Sequence, residues 1–272
     1  CLSTMNRPLR PFIALPLLLT LISASSNGLQ NEVSIKVEGD QRIITANGIP
    51  DHPTGQFPGR GNPNRIGPQQ YRFTIPVHPT PAAQPTVLKM HAFGVAVNGV
   101  VLDPGAAEWW KGDPASGWQF EPLSGAIDLG TDESNAHVQP NGAYHYHGMP
   151  TALEARLTGG KKPMVLLGWA ADGYPIYNAM GHKDPMDATS GWVELKSSYR
   201  IKQGTRPDGP HGTYDGSVVA DYEWVKGTGD LDECNGRTAA TPEHPESEYH
   251  YVITNQFPFI PRQYKGTPDP SF

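Results

Sequence analysis

The stretch Tyr144-His145-Tyr146-His147 has residue types and a spacing that could do chemistry. In an extended chain side chains alternate between faces, so His145 and His147 project from one face and Tyr144 and Tyr146 from the other. Two imidazoles held in that way form half of a transition-metal site, because histidine is the commonest nitrogen ligand for zinc and copper. His137, eight residues before His145, offers a third nitrogen, and a three-histidine set leaves a coordination position open for chemistry. His91, at the start of an apolar run, is a candidate fourth ligand. A partial echo, Tyr249-His250-Tyr251, adds His250, either as a supporting ligand or as a hydrogen-bonded core histidine. The echo is degraded as a ligand set: Val252 stands where His147 would, and Arg237 where His137 would. The alternative for His145 and His147 is a pair of polar residues facing solvent.

Other templates fit less well. Asp128, Asp132 and Asn135, and again Asp230, Asp232 and Asn235, offer oxygen ligands suited to calcium, but without calcium-loop spacing. Such residues more often hold turns through their own backbone. A cupin would need a glutamate three or four residues after His147, whereas Glu154 lies seven after it. There is no Gly-x-Ser-x-Gly elbow, no His-Glu-x-x-His and no phosphate loop. A copper oxygenase with an N-terminal histidine is disfavoured, since no histidine lies near the expected cleavage point. A zinc hydrolase or lyase with three histidines and a bound hydroxide stays open. His182 and His211 read as surface residues. Cys234 beside Asp232-Glu233 reads as structural, because neighbouring acids disfavour a thiolate. The non-metal alternative is a module whose Trp109, Trp110, Trp118, Trp169 and Trp192 bind polysaccharide or a cell-surface partner.

The elements that must hold these residues read as strands. Val33–Glu38, Arg42–Thr45 and Tyr71–Val77 alternate apolar and polar residues, and Pro76 marks the third as an edge strand. Between them, residues 47–70 form a long Gly/Pro/Asn-rich loop, which is either functional or wraps the surface. Gly94–Val100 and Gly168–Tyr174 each read as a strand entering an Asn-Gly or Asp-Gly hairpin turn. The order "hairpin, Asp-Glu-x-Asn, Tyr-His-Tyr" thus occurs twice, over about 88–150 and about 163–257, which suggests a duplicated unit. A short helix is expected from Pro150 to Leu157, with Thr151 and Glu154 as a capping box and Gly159-Gly160 as its stop. Asp184 to Asp187 is a candidate helical turn.

Composition agrees. Hydrophobic residues are 37% and charged residues 18%, and with 30 Gly and 28 Pro among 272 residues a helical bundle is excluded in favour of short strands and turns. The expected fold is mainly β: a single compact domain of two related, duplicated halves with short helices and long Gly/Pro-rich loops. Residues 1–26 read as a signal peptide, with Met5 as the start, Arg7 and Arg10 before an apolar run, and small residues closing it. Strands and wrap would then occupy 27–87, the main domain 88–257 and a C-terminal tail 258–272. Cleavage would remove two arginines and no acid, moving the net charge from −6 to −8. Such a chain has no electrostatic case for nucleic acid or anionic membranes, and a secreted or periplasmic location follows from the leader. With Cys1 lost, Cys234 has no partner for an internal disulfide. The expected partner is a metal ion, copper or zinc, with a small molecule or polysaccharide as a further partner.

The chain resembles the YHYH protein family beyond its four-residue signature. Asn135-Ala136-His137-Val138-Gln139-Pro140 leading to Gly142-Ala143-Tyr144-His145-Tyr146-His147-Gly148 is similar to the family's central block. Leu167–Tyr177, Gly212–Gly216 and Leu231–Arg237 are similar to further blocks. The resemblance spans about residues 30–257. It implies an exported protein of bacterial type and supplies no particular activity, so metal binding rests on His137, His145 and His147 themselves.

Overall fold

The computed structural model describes residues 28–272; the expected signal peptide and its cleavage point lie outside the described residues. A three-stranded antiparallel sheet comes first, in the order β1 (Val33–Glu38), β2 (Gln41–Ala46), β3 (Tyr71–Pro76). Pro76 ends β3 at the sheet's edge, where no neighbour needs the N–H it lacks. The next strand, β4 (Thr86–Val87), pairs with the last strand of the chain. Then follow β5 (Gly94–Ala96), β6 (Val101–Leu102), β7 (Ala136–Val138), β8 (Tyr144–Tyr146) and an eight-residue α-helix, α1 (Thr151–Thr158). The remainder is β9 (Leu166–Ala170), β10 (Pro175–Tyr177), β11 (Met180–His182), β12 (Trp192–Glu194), β13 (Tyr199–Ile201), β14 (Tyr222–Trp224), β15 (Gly236–Ala239), β16 (Glu248–Val252) and β17 (Gln263–Tyr264).

Eight of these strands make the central sheet, in the order β15-β16-β10-β9-β5-β6-β8-β7. The order reads alike from either end. A tight hairpin (β5-β6, or β9-β10) pairs in parallel with a Tyr-His-Tyr strand (β8, or β16), which pairs antiparallel with an edge strand (β7, or β15). Gly99 and Gly173 turn the two hairpins with φ of 80° and 93°, a conformation glycine adopts without strain. The likeness extends to side chains. Asp132 Oδ1 accepts the N–H groups of Ser134 and Ala136, and Asp232 Oδ1 those of Cys234 and Gly236. The Tyr144 hydroxyl donates to Asp132 at 2.8 Å, and the Tyr249 hydroxyl to Asp232 at 3.1 Å. These aspartates therefore hold turns, as their residue type allows, and do not form a calcium loop. The likeness is one of strand order and register; descent of the halves from one duplicated unit is a proposal.

Strand alternation decides what each face buries. Ala96, Leu102, Tyr144, Tyr146, Ile176 and Tyr251 face one core with Leu153 of α1, while Val95 and Val101 face Ile44, Phe73 and Ile75 of the small sheet. Tyr144, Tyr146, Tyr177, Tyr251 and Tyr264 are fully buried, each with a hydrogen-bonded hydroxyl. That satisfies the polar end of a side chain whose burial stabilises by about 1.5–3 kcal/mol.

Several expectations are corrected. Thr151 and Glu154 do not form a capping box: the Thr151 hydroxyl donates to the Glu133 carbonyl, and the Glu154 carboxylate accepts from Asn178. Tertiary partners here outcompete the local cap. Gly159, at φ 61°, does stop the helix. Asp184–Asp187 is a turn, closed by Asp187 N–H on the Asp184 carbonyl. Within the C-terminal tail, residues 258–272, β17 pairs with β4, Tyr264 stacks on Phe93 at 4.8 Å and Phe272 on Phe73 at 4.3 Å.

A candidate metal centre of three histidines

β7 and β8 pair so that His137 stands opposite His145. Directly paired residues on neighbouring strands share a face, and alternation adds His147 to it. The three ring centroids are 4.6, 4.7 and 4.7 Å apart, with interplanar angles of 63–73°. One ligand nitrogen from each lies within 4.8 Å of the others, and among the described residues this is the one such group of three histidine, cysteine or acidic side chains. Tyr144 and Tyr146 point the opposite way, into the core.

Second contacts fix the rings. His137 Nδ1 bonds the Leu129 carbonyl at 2.8 Å and His145 Nδ1 the Ala143 carbonyl at 3.2 Å. A carbonyl can only accept, so both Nδ1 atoms carry hydrogens, and Nε2 is the ring atom each has to offer a metal. His147 differs: it is 1% exposed, and neither ring nitrogen has a partner. Its backbone is held, since its N–H donates to the Asn135 carbonyl, and Asn135 adopts φ 53° while its side chain donates to the Met149 carbonyl. Burial and the nearby His137 hold His145 down to about 3, and burial, with His145, His137 and Arg262 around it, holds His147 well below its ordinary value. Both imidazoles are therefore neutral at neutral pH, the form that binds metal.

The histidines line one wall of a cleft of ≈ 330 Å³ whose other walls include Asn62, Asn64, Gly105, Glu108 and Asp128. The long loop builds part of it. Asn62 and Asn64 both donate to the Val138 carbonyl, at 2.9 and 2.7 Å, and Gly67 N–H donates to the Gly142 carbonyl. The loop thus covers the unpaired edge of β7 and walls the cleft at once.

The structure does not bring His91 or His250 to this group. His250 lies on β16, with four strands between it and β8; its Nδ1 bonds the Glu248 carbonyl at 3.3 Å and its ring packs edge-on against Tyr177. His91 bonds the Ala92 carbonyl at 3.1 Å and stacks on Tyr264. His211 is exposed as expected, whereas His182 is buried beneath Trp192 at 4.0 Å. Cys234 is buried, and burial with Asp232 pushes its thiol up to about 12, which leaves no thiolate at neutral pH. Trp109, Trp110 and Trp118 lie on adjoining segments, with Trp110 N–H donating to the Trp118 carbonyl, while Trp169 and Trp192 lie on separate strands. Trp118 is buried with its indole N–H on Asp208, Arg42 covers Trp169 at 4.3 Å, and no two tryptophan rings stack among the described residues.

Asp103, one residue past β6, was not a candidate on sequence grounds, yet its charge is coupled to His137 and His91. The signal available was a lone acid ending the apolar run Val100-Val101-Leu102, and only the parallel pairing of β6 with β8 gives it meaning.

These features carry the four-residue signature on a paired strand, with its tyrosines in the core and its histidines in a cleft. Residues 72–266 match the family described as YHYH protein, and the chain belongs to that family. No curated protein and no solved structure matches the chain.

Proposed function

We propose that this protein binds one transition-metal ion, copper or zinc, through His137, His145 and His147. The observation that carries the reading is His147, a buried imidazole with neither nitrogen partnered. Leaving buried polar atoms unpaired costs about 1–3 kcal/mol each, and a ligand bond relieves that cost. Three imidazole nitrogen donors and no thiolate suit either metal, and as ligands they leave its double charge uncompensated. A metal held so, beside a cleft, retains a position for a further ligand, which supports a metal-dependent hydrolase or lyase as the more specific reading. The residue 1–26 leader supports an exported location, where copper and zinc are handled outside the reducing cytoplasm. The tryptophans, with Trp118 buried and Trp169 covered by Arg42, give no such support to polysaccharide binding.

Metal analysis of purified protein, beside the double variant His145→Ala, His147→Ala, tests the proposal. The expected result is stoichiometric copper or zinc that disappears in the variant. Absence of metal from both proteins, including after incubation with each ion, sinks it.

A further inference from the structure

Asp103 stands on the same sheet face as the three histidines. β6 runs parallel to β8, with Val101 beside His145 and Leu102 beside Tyr146, and the ladder continues as Asp103 N–H donates to the Tyr146 carbonyl at 2.9 Å. Partnered residues share a face and alternation returns Asp103 to the face of Val101, hence to that of His145 and His147. Its Oδ1 accepts the N–H of Gly105, a residue of the cleft wall, at 3.0 Å; among the described residues no hydrogen bond engages Oδ2. Its oxygens lie outside the 4.8 Å ligand group, so Asp103 is not a fourth ligand. Burial raises the Asp103 carboxyl above its ordinary value, the Gly105 N–H and the nearby Arg262, His91 and His137 oppose that rise, and the hydroxyls of Tyr71 and Tyr264 lie within its field. Arg262 is already committed to buried Glu121 at 2.5 Å. Glu108 and Asp128 add negative charge to the cleft wall, which contains no lysine or arginine. The buried, unpartnered His147 on the same wall independently marks this space as a ligand site.

We propose that the Asp103 carboxylate, beside the three-histidine centre and behind the Gly105 wall of its cleft, selects, for the position the histidines leave free, a neutral ligand that can donate a hydrogen bond. Water, an alcohol or an amide N–H satisfies both the metal and the carboxylate, whereas an anion meets a like charge. This rests on the metal reading above, and it narrows the ligand class to neutral polar molecules, excluding phosphate esters and free carboxylates, which would approach through an anionic oxygen.

Cobalt(II) is the probe for the metal and azide for the open position, both followed by visible absorption at fixed ionic strength. Wild type, Asp103→Asn and Asp103→Glu are each expected to bind one cobalt ion. Azide should bind the Asn variant about tenfold more tightly than wild type, as removal of one nearby like charge in a partly desolvated cleft predicts. The Glu variant, which restores the charge, should return to weak binding. Equal azide affinity in all three proteins, or loss of cobalt from a folded Asn variant, overturns the role of Asp103 and leaves the metal site standing. Failure of wild type to bind cobalt overturns the metal site itself.

Discussion

His137 and Arg237 stand at the same place in the two halves of the central sheet, His137 opposite His145 across β7-β8 and Arg237 opposite His250 across β15-β16. One position offers a lone pair and the other a fixed cation, so only the first half can gather donors. Arg237 instead donates to the His182 carbonyl at 3.0 Å, and Val252, in the place of His147, packs with Leu195 and Leu231.

This asymmetry predicts the outcome of single ligand deletions. His147→Ala should weaken metal binding by more than about a hundredfold, beyond the range reported for supporting residues. His250→Ala, although it removes the histidine of the matching strand, should leave metal affinity unchanged. Competition with a chromophoric chelator measures both. Equal losses in the two variants would show that the halves share one site.

Tyr146 anchors the strand from its other face. Its hydroxyl bonds His52 Nε2 at 2.6 Å and accepts from Asn98 at 3.0 Å, and Asn98 in turn donates to Asp51, the ion-pair partner of Arg156. Tyr146→Phe strands these buried partners and should cost about 1–3 kcal/mol in urea unfolding, with metal stoichiometry retained. A variant as stable as wild type would show that water replaces the hydroxyl.

These residues also show what the sequence could and could not reveal. Alternation alone put His145 and His147 on one face and Tyr144 and Tyr146 on the other, and Asn98-Gly99 and Asp172-Gly173 announced their hairpins, because both are local rules of the chain. His137 was legible by proximity, since seven residues between it and His145 suffice for two short strands and a turn. His91, His250 and Asp103 were not legible, because their distances to the triad depend on strand order. Parallel pairing of β6 with β8, across more than forty residues, leaves no local trace. The capping box failed for a related reason: Glu133 and Asn178, distant in sequence, take up the Thr151 and Glu154 side chains.

His250 gives a pH test free of the metal. Burial holds it at about 4 against 6.5 for the ordinary group, so the unfolded chain takes up a proton that the folded chain refuses. Stability from this group is full above pH 6.5 and is lost as pH falls toward 4, by at most about 1.4 kcal/mol per pH unit. Asp172 and Glu248, raised to about 6 and about 7 by burial, work in the opposite direction, so the comparison must be against His250→Gln and not against pH alone. In metal-free protein, wild type should lose stability relative to the variant between pH 6.5 and 4. Parallel pH profiles for the two proteins would place the His250 titration near its ordinary value.

The sharpest test of the asymmetry is to write the first half's ligands into the second. Arg237→His with Val252→His restores the set of His137, His145 and His147 around His250 in name only. The face that carries a cleft beside β8 is closed beside β16, where Val252 is fully buried against Leu195 and Leu231. An imidazole at 252 would enter an apolar cluster without a partner, at a cost of about 1–3 kcal/mol or more. The double variant should therefore unfold at lower urea and still bind one metal ion per chain. Two ions bound per chain, in a protein as stable as wild type, would show that residue identity alone separates the halves and that the cover over β16 is incidental.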